Sequence, residues 1–181
     1  MSCLITLLFF VAGISQGFCD DEITVSPKHT FEIVQKYREQ DQMYGHVWTE
    51  TLHFFKDNAK DIVLEYGISW PALYYVSPDD QWILRIQKSG SGDNISYLYR
   101  VESNQSVWRM EEQVGELGFA FLAHQPGGLP SGLYHTGIEF TSWDLQSGLL
   151  HFTIHGSGDH SGDGIERSLT FNLVDHHISA P

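Results

Sequence analysis

Between residues 82 and 88 the chain alternates in chemistry. Trp82, Leu84 and Ile86 fall on one side of an extended backbone and Arg85 and Gln87 on the other, the period of two expected of a half-buried β-strand. The stretch Ser89-Gly90-Ser91-Gly92-Asp93-Asn94 reads as a hairpin loop, after which Tyr97, Tyr99 and Val101 alternate with Leu98 and Arg100. Residues 72–110 therefore predict β-structure. The last fifty residues give the same signal. Ile138, Phe140 and Ser142 alternate with Glu139, Thr141 and Trp143, residues 144–148 form a turn, and Leu150, Phe152 and Ile154 line one face. Leu169, Phe171 and Leu173 repeat the pattern after a Gly/Ser/Asp/His loop, which predicts a hairpin.

The pattern recurs along the chain. Val25-Ser26-Pro27, followed by an aliphatic run from Phe31, is echoed by Val76-Ser77-Pro78, followed by a run from Trp82, at an offset of 51 or 52 residues. Each copy continues into an aromatic-rich segment (47–55, then 95–101) and a short third piece (62–64, then 107–110), which predicts a repeated multi-stranded sheet unit of about fifty residues. Residues 26–44 also carry a helical alternative: Ser26-Pro27 is a fair helix start, and the run to Tyr44 is rich in Glu, Gln, Lys and Arg. The parallel with the second copy favours a strand over 31–36.

One helix is predicted near 111–124. Val114, Leu117, Phe121 and Leu122 recur at helical spacing, Glu111 and Glu112 suit the positive end of its dipole, and Pro126-Gly127-Gly128 ends it.

The Ser77-Pro78-Asp79 turn before an aromatic strand resembles the blade motif of the bacterial β-propellers related to the tryptophan-aspartate repeat class. The match covers residues 77–86, with 26–34 as a poorer copy lacking the Asp. Closed propellers have roughly four to eight blades, so three fifty-residue units imply antiparallel sheets in an open propeller-like or sandwich arrangement.

Composition adds compartment and surface character. Residues 4–11 form an apolar run with no charged side chain before Asp20, too short to span a bilayer, which needs about 20 residues. It reads as a secretory signal covering residues 1–19, cut after Gly17 or Cys19, and it implies a secreted or periplasmic protein without stable membrane insertion. Cys3 and Cys19 are the two cysteines of the chain, so residues 20–181 form a single β-rich domain that burial alone must hold together. With 11 Phe, 8 Tyr and 5 Trp, the chain has the means. Its net charge of −13 repels polyanions and argues against nucleic acid, leaving cations, proteins or glycans as partners.

Candidate chemistry is sparse. Asp159, His160, Asp163 and Glu166 lie in a glycine-rich loop, where oxygen ligands on flexible backbone suit Ca2+, although the spacing is not that of an EF-hand. His151, His155 and His160 sit near one hairpin and suggest Zn2+, but His151 and His155 are about 13 Å apart along a strand at ~3.3 Å per residue. Ser161 beside His160 and Asp159 resembles a triad only in composition, since triad members come from separate elements. Glu111, Glu112, Glu116, Glu139 and Asp144 offer paired carboxylates for hydrolysis. Trp82, Tyr97, Tyr99 and Trp143 form a binding platform if one sheet face is bare. The pattern favours a non-enzymatic binding module for a protein, glycan or cation. A hydrolase using acidic residues, with or without a metal, is the rival, and a structural subunit of an envelope assembly the third reading.

Overall fold

The computed structural model describes residues 21–39, 46–158 and 164–181. The signal segment lies outside them. Twelve strands and one helix are built from these residues. The first unit is β1 (Glu22–Val25), β2 (Phe31–Glu39), β3 (His46–Phe54) and β4 (Ile62–Ile68). The second is β5 (Ala72–Val76), β6 (Trp82–Lys88), β7 (Asn94–Val101) and β8 (Val107–Arg109). Helix α1 (Val114–Ala123) then leads to β9 (Tyr134–Asp144), β10 (Leu149–Ser157), β11 (Ile165–Asn172) and β12 (Ile178–Ser179). Each unit is a four-stranded antiparallel meander with neighbours in chain order. The mainly β expectation holds: three open four-stranded antiparallel sheets and one helix, an arrangement consistent with a sandwich or propeller-like fold.

The ambiguous stretch after Ser26-Pro27 is strand. The sheet pairs Phe31 with Phe54 and Ile33 with Leu52, and this packing outweighs the helical propensity of the residues that follow. The third unit exceeds the predicted hairpin by β12, which pairs Phe171 with Ile178. Strict alternation also fails in β9. A bulge opposite His151 and Phe152 inserts an extra residue, so Phe140 pairs with Phe152 while Trp143 pairs with Leu150. Phe140 and Trp143 thereby come to one face, their rings 5.8 Å apart.

The second sheet lies between the other two, and both of its faces are buried. Trp82, Leu84, Ile86 and Leu98 pack with Ile138, Leu150, Phe152 and Phe171 of the third sheet. Ile83, Tyr74 and Tyr99 pack with Phe31, Ile33 and Leu52 of the first. The expectation of a half-buried β6 is thus corrected, because its polar face meets another sheet instead of water. Helix α1 enters the interface between the second and third sheets. A Cβ on Gly118 would lie 2.4 Å from Ile154 Cδ1, so glycine is what lets this helix seat so closely on the third sheet. The helix is shorter than predicted; its N-cap is Gln113, so Glu111 and Glu112 precede it. Among the described residues, no helix is long and apolar enough to cross a membrane.

Side-chain amides fasten sheet to sheet. Gln35 on β2 accepts from the Ala72 amide (2.7 Å) and donates to its carbonyl (2.9 Å), as a neighbouring strand would. Asn94 treats Ile138 the same way between β7 and β9, at 2.9 and 3.1 Å. These bonds fix register between separately folded sheets, since a one-residue slip leaves both partners unsatisfied.

Candidate functional site

The two Ser-Pro turns fold alike and lie side by side. The Ser26 amide donates to the Phe31 carbonyl (3.0 Å) and the Ser77 amide to the Trp82 carbonyl (2.9 Å). Ser26 Oγ accepts from the amides of Thr30 and Phe31, and Ser77 Oγ from that of Trp82. Three residues on, His29 (φ 55°) and Asp80 (φ 62°) adopt the same left-handed backbone.

The second turn reaches across to the first through Asp80. Its Oδ2 accepts from Ser26 Oγ at 2.8 Å and Thr30 Oγ1 at 2.6 Å, and both carboxylate oxygens lie within 3.2 Å of the Lys28 amide nitrogen. Burial pushes the Asp80 carboxyl up, but the hydrogen bonds from Thr30, the Lys28 amide and Ser26 outweigh it and hold the group below the usual aspartate value. Asp79 Oδ1 accepts from Ser77 Oγ (2.5 Å) and the Gln81 amide (3.1 Å).

These turns form the floor of a hollow of about 650 Å³ between the first and second sheets. Its walls come from His29 and Thr30, from Phe54, Phe55 and Lys56 after β3, and from Arg100, Glu102, Ser103 and Gln105 after β7. A second hollow of about 540 Å³ opens between the second and third sheets, lined by Trp82, Leu145, Leu173, Val174 and His176. Asp79, Gln81 and Arg100 line both, so the two hollows adjoin at these residues and are together called the groove at the turn-bearing end of the molecule. Arg100 stands at the midpoint. Its guanidinium lies over the Trp82 ring (5.3 Å), and its Nε is 3.3 Å from Glu102 Oε1.

A polar seam is buried deeper between the first two sheets. Arg85 Nε donates to Glu50 Oε2 at 2.6 Å, Arg85 also bonds Gln87, and the Tyr74 hydroxyl donates to the same Glu50 oxygen. Burial and the Glu50 charge raise the Tyr74 pKa well above the usual value. Burial and Glu65, which accepts from the Tyr99 hydroxyl, raise Tyr99 likewise. Arg85 and Glu50 are fully enclosed, so this seam joins sheets and opens onto no cavity.

The residues singled out in the sequence are dispersed. Trp82 and Tyr99 are 6% and 2% exposed, on opposite faces of the second sheet. Tyr97 is half-buried beneath the Arg109 guanidinium, and Trp143 packs against Phe140, its buried Nε1 without a hydrogen-bond partner among the described residues. Of the four, Trp82 borders the groove. Asp159, His160 and Asp163 lie outside the described residues; Glu166 is exposed on β11, opposite His155. Among the described residues, no three His, Cys, Asp or Glu side chains come together as metal ligands. Asp144 caps the amides of Gln146 and Ser147 in its turn. Phe55, Lys56, Arg100 and Glu102 went unnoticed as site residues, because stacked sheets and not local spacing bring them together.

No family model matches the chain. No curated protein matches it either. Among solved structures, TolB from Acinetobacter baumannii is similar with a TM-score of 0.40 and 13% identity, over 88% of this chain and 32% of that one. The chain thus spans about a third of the length of that protein.

Proposed function

We propose that residues 20–181 form a single secreted or periplasmic binding module, and that the groove across its turn-bearing end receives an extended partner segment. The observation that carries this reading is the groove itself: two hollows of about 650 and 540 Å³ that adjoin at Asp79, Gln81 and Arg100. Each falls in the roughly 300–1,000 Å³ range of ligand sites, and Phe54, Phe55 and Trp82 supply apolar surface within mostly polar linings. The uncharged apolar run at 4–11 supports export. A binding role suits the groove better than hydrolysis. Asp80 spends both carboxylate oxygens on Ser26, Thr30 and the Lys28 amide, so its place is in joining the two turns.

The test is to screen the full chain against displayed random peptides and an oligosaccharide array, beside the variant Ser103→Trp, whose indole would fill the groove from an exposed rim position. Ligands bound by the wild type and lost in the variant, with an unchanged unfolding midpoint, support the reading. Ligands indifferent to the plug would exclude the groove.

A further inference from the structure

The two outer faces of the three-sheet stack differ in chemistry. On the third sheet Leu150, Phe152 and Ile154 turn inward, so the face away from the core carries His151, Thr153 and His155, paired across the ladders with Ser142, Ser168 and Glu166. Such a polar face is what ends a stack of repeated units in water. On the first sheet Ile33 and Leu52 turn inward, and the outward row across its four strands is Ile23, Val34, Thr51 and Val63. Ile23 and Val63, at the two ends of this row, are more than half exposed. So is Tyr66 in the next row, opposite Thr49, while on the other side Val25 lines up with Glu32 and His53. The stack is capped at one end and apolar at the other.

We infer that the outer face of the first sheet pairs with the same face of a second copy, about a two-fold axis running along the strands between β2 and β3. Head-to-tail stacking would set the apolar row against the polar face of a third sheet, whereas a two-fold sets it against itself. This axis exchanges β1 with β4 and β2 with β3. Ile23 of each copy then meets the partner's Val63, Val34 meets the partner's Thr51, and the acidic Glu32 meets the partner's His53. Lys36 lies 3.9 Å from Asp21 and His53 lies 2.7 Å from Asp61 within the same chain, so closing the face isolates neither basic group. Four strands about 4.8 Å apart give a face about 20 Å wide and 25 Å long, so two copies bury on the order of 1,000 Å², the lower end for a specific interface. A contact of that size makes a reversible dimer, forming and dissociating across about 1–100 μM. Both Ser-Pro ends point the same way along such an axis, so the two grooves open on one side of the dimer.

Sedimentation equilibrium of the full chain from about 1 to 100 μM reads the outcome, the average mass rising from one copy towards two. Val63→Lys and Ile23→Glu each hold the protein at the mass of one copy over this range, with unfolding midpoints close to wild type, because both positions are exposed on edge strands. Mixed in equal amounts, the two variants recover the association: a mixed pair sets the introduced acid against the introduced base at one contact and keeps Ile23 against Val63 at the other. Ser168→Lys, an exposed change on the outer face of the third sheet, leaves association intact. A wild type that stays monomeric at about 100 μM overturns the inference. So does association indifferent to Val63→Lys, which would place the contact elsewhere, the apolar run at 4–11 included. Loss in both variants without recovery on mixing overturns it too, because β1 then does not face β4.

Discussion

Both faces of the central sheet bury apolar side chains, but only one of them also carries a buried polar seam among the described residues. Towards the third sheet, Trp82, Leu84, Ile86 and Leu98 meet Ile138, Phe152 and Phe171 in an apolar core with α1 wedged into it. Towards the first sheet, the same strand β6 packs Ile83 on Phe31, Ile33 and Leu52 but also presents Arg85 and Gln87, and a polar seam of Glu50, Tyr74, Gln35 and the Asp80 clamp runs through this interface. Apolar burial is non-directional and supplies stability. A buried ion pair roughly cancels its own desolvation, so what the seam adds is geometry: it tolerates one register and one spacing. The groove needs that definition, because its walls belong to sheets that no strand pairing connects.

The sharpest way to break the contrast is to remove one partner of the seam. Arg85→Met strands the Glu50 carboxylate in the interior and is expected to cost about 3–5 kcal/mol in urea unfolding. Pairing it with Glu50→Leu should recover most of that loss; a double variant still as unstable as Arg85→Met would show that the pair itself stabilises relative to apolar packing. Across the strand, Gly118→Ala drives a methyl towards Ile154 and should cost about 1–3 kcal/mol, relieved by Ile154→Val.

Protonation separates the interfaces further. Asp80 titrates lower in the fold than in the unfolded chain, so its contribution is present above the unfolded value of ~3.9 and fades as pH falls through the folded one. Asp80→Asn should cost about 1–3 kcal/mol at neutral pH and flatten this acid limb. Tyr74 is raised, so its contribution is intact below the unfolded value of ~10 and is lost as pH climbs beyond it. Tyr74→Phe should blunt the alkaline loss, while substitutions towards the third sheet leave it alone. The smallest effect belongs to Arg100→Gln, a half-exposed change expected to move stability by no more than about 0.5 kcal/mol.

Much of this fold was legible in the chain. The Ser-Pro echo located two of the three units, and its Asp-bearing copy marked the turn that becomes the clamp. The strands of the third unit were legible from their alternation, but not its likeness to the other two, because its corresponding turn runs through Asp144, Leu145 and Gln146 without Ser-Pro and the β9 bulge breaks the alternation at Thr141. Arg85 looked like a solvent-facing residue, since its partner Glu50 lies 35 residues away on another sheet and becomes a neighbour only when the sheets stack. The groove was illegible for the same reason. Phe55, Lys56 and Arg100 end strands of different sheets, and no local spacing links them.

An apolar alternative exists on the outer face of the first sheet, where Ile23, Val63 and Tyr66 are each more than half exposed. Hydrogen exchange of the full chain with and without a selected peptide separates the two surfaces in one experiment. The account predicts slowed exchange at 28–30, 54–56, 79–82 and 100–105. Slowing confined to the strands that carry Ile23 and Val63 would contradict it.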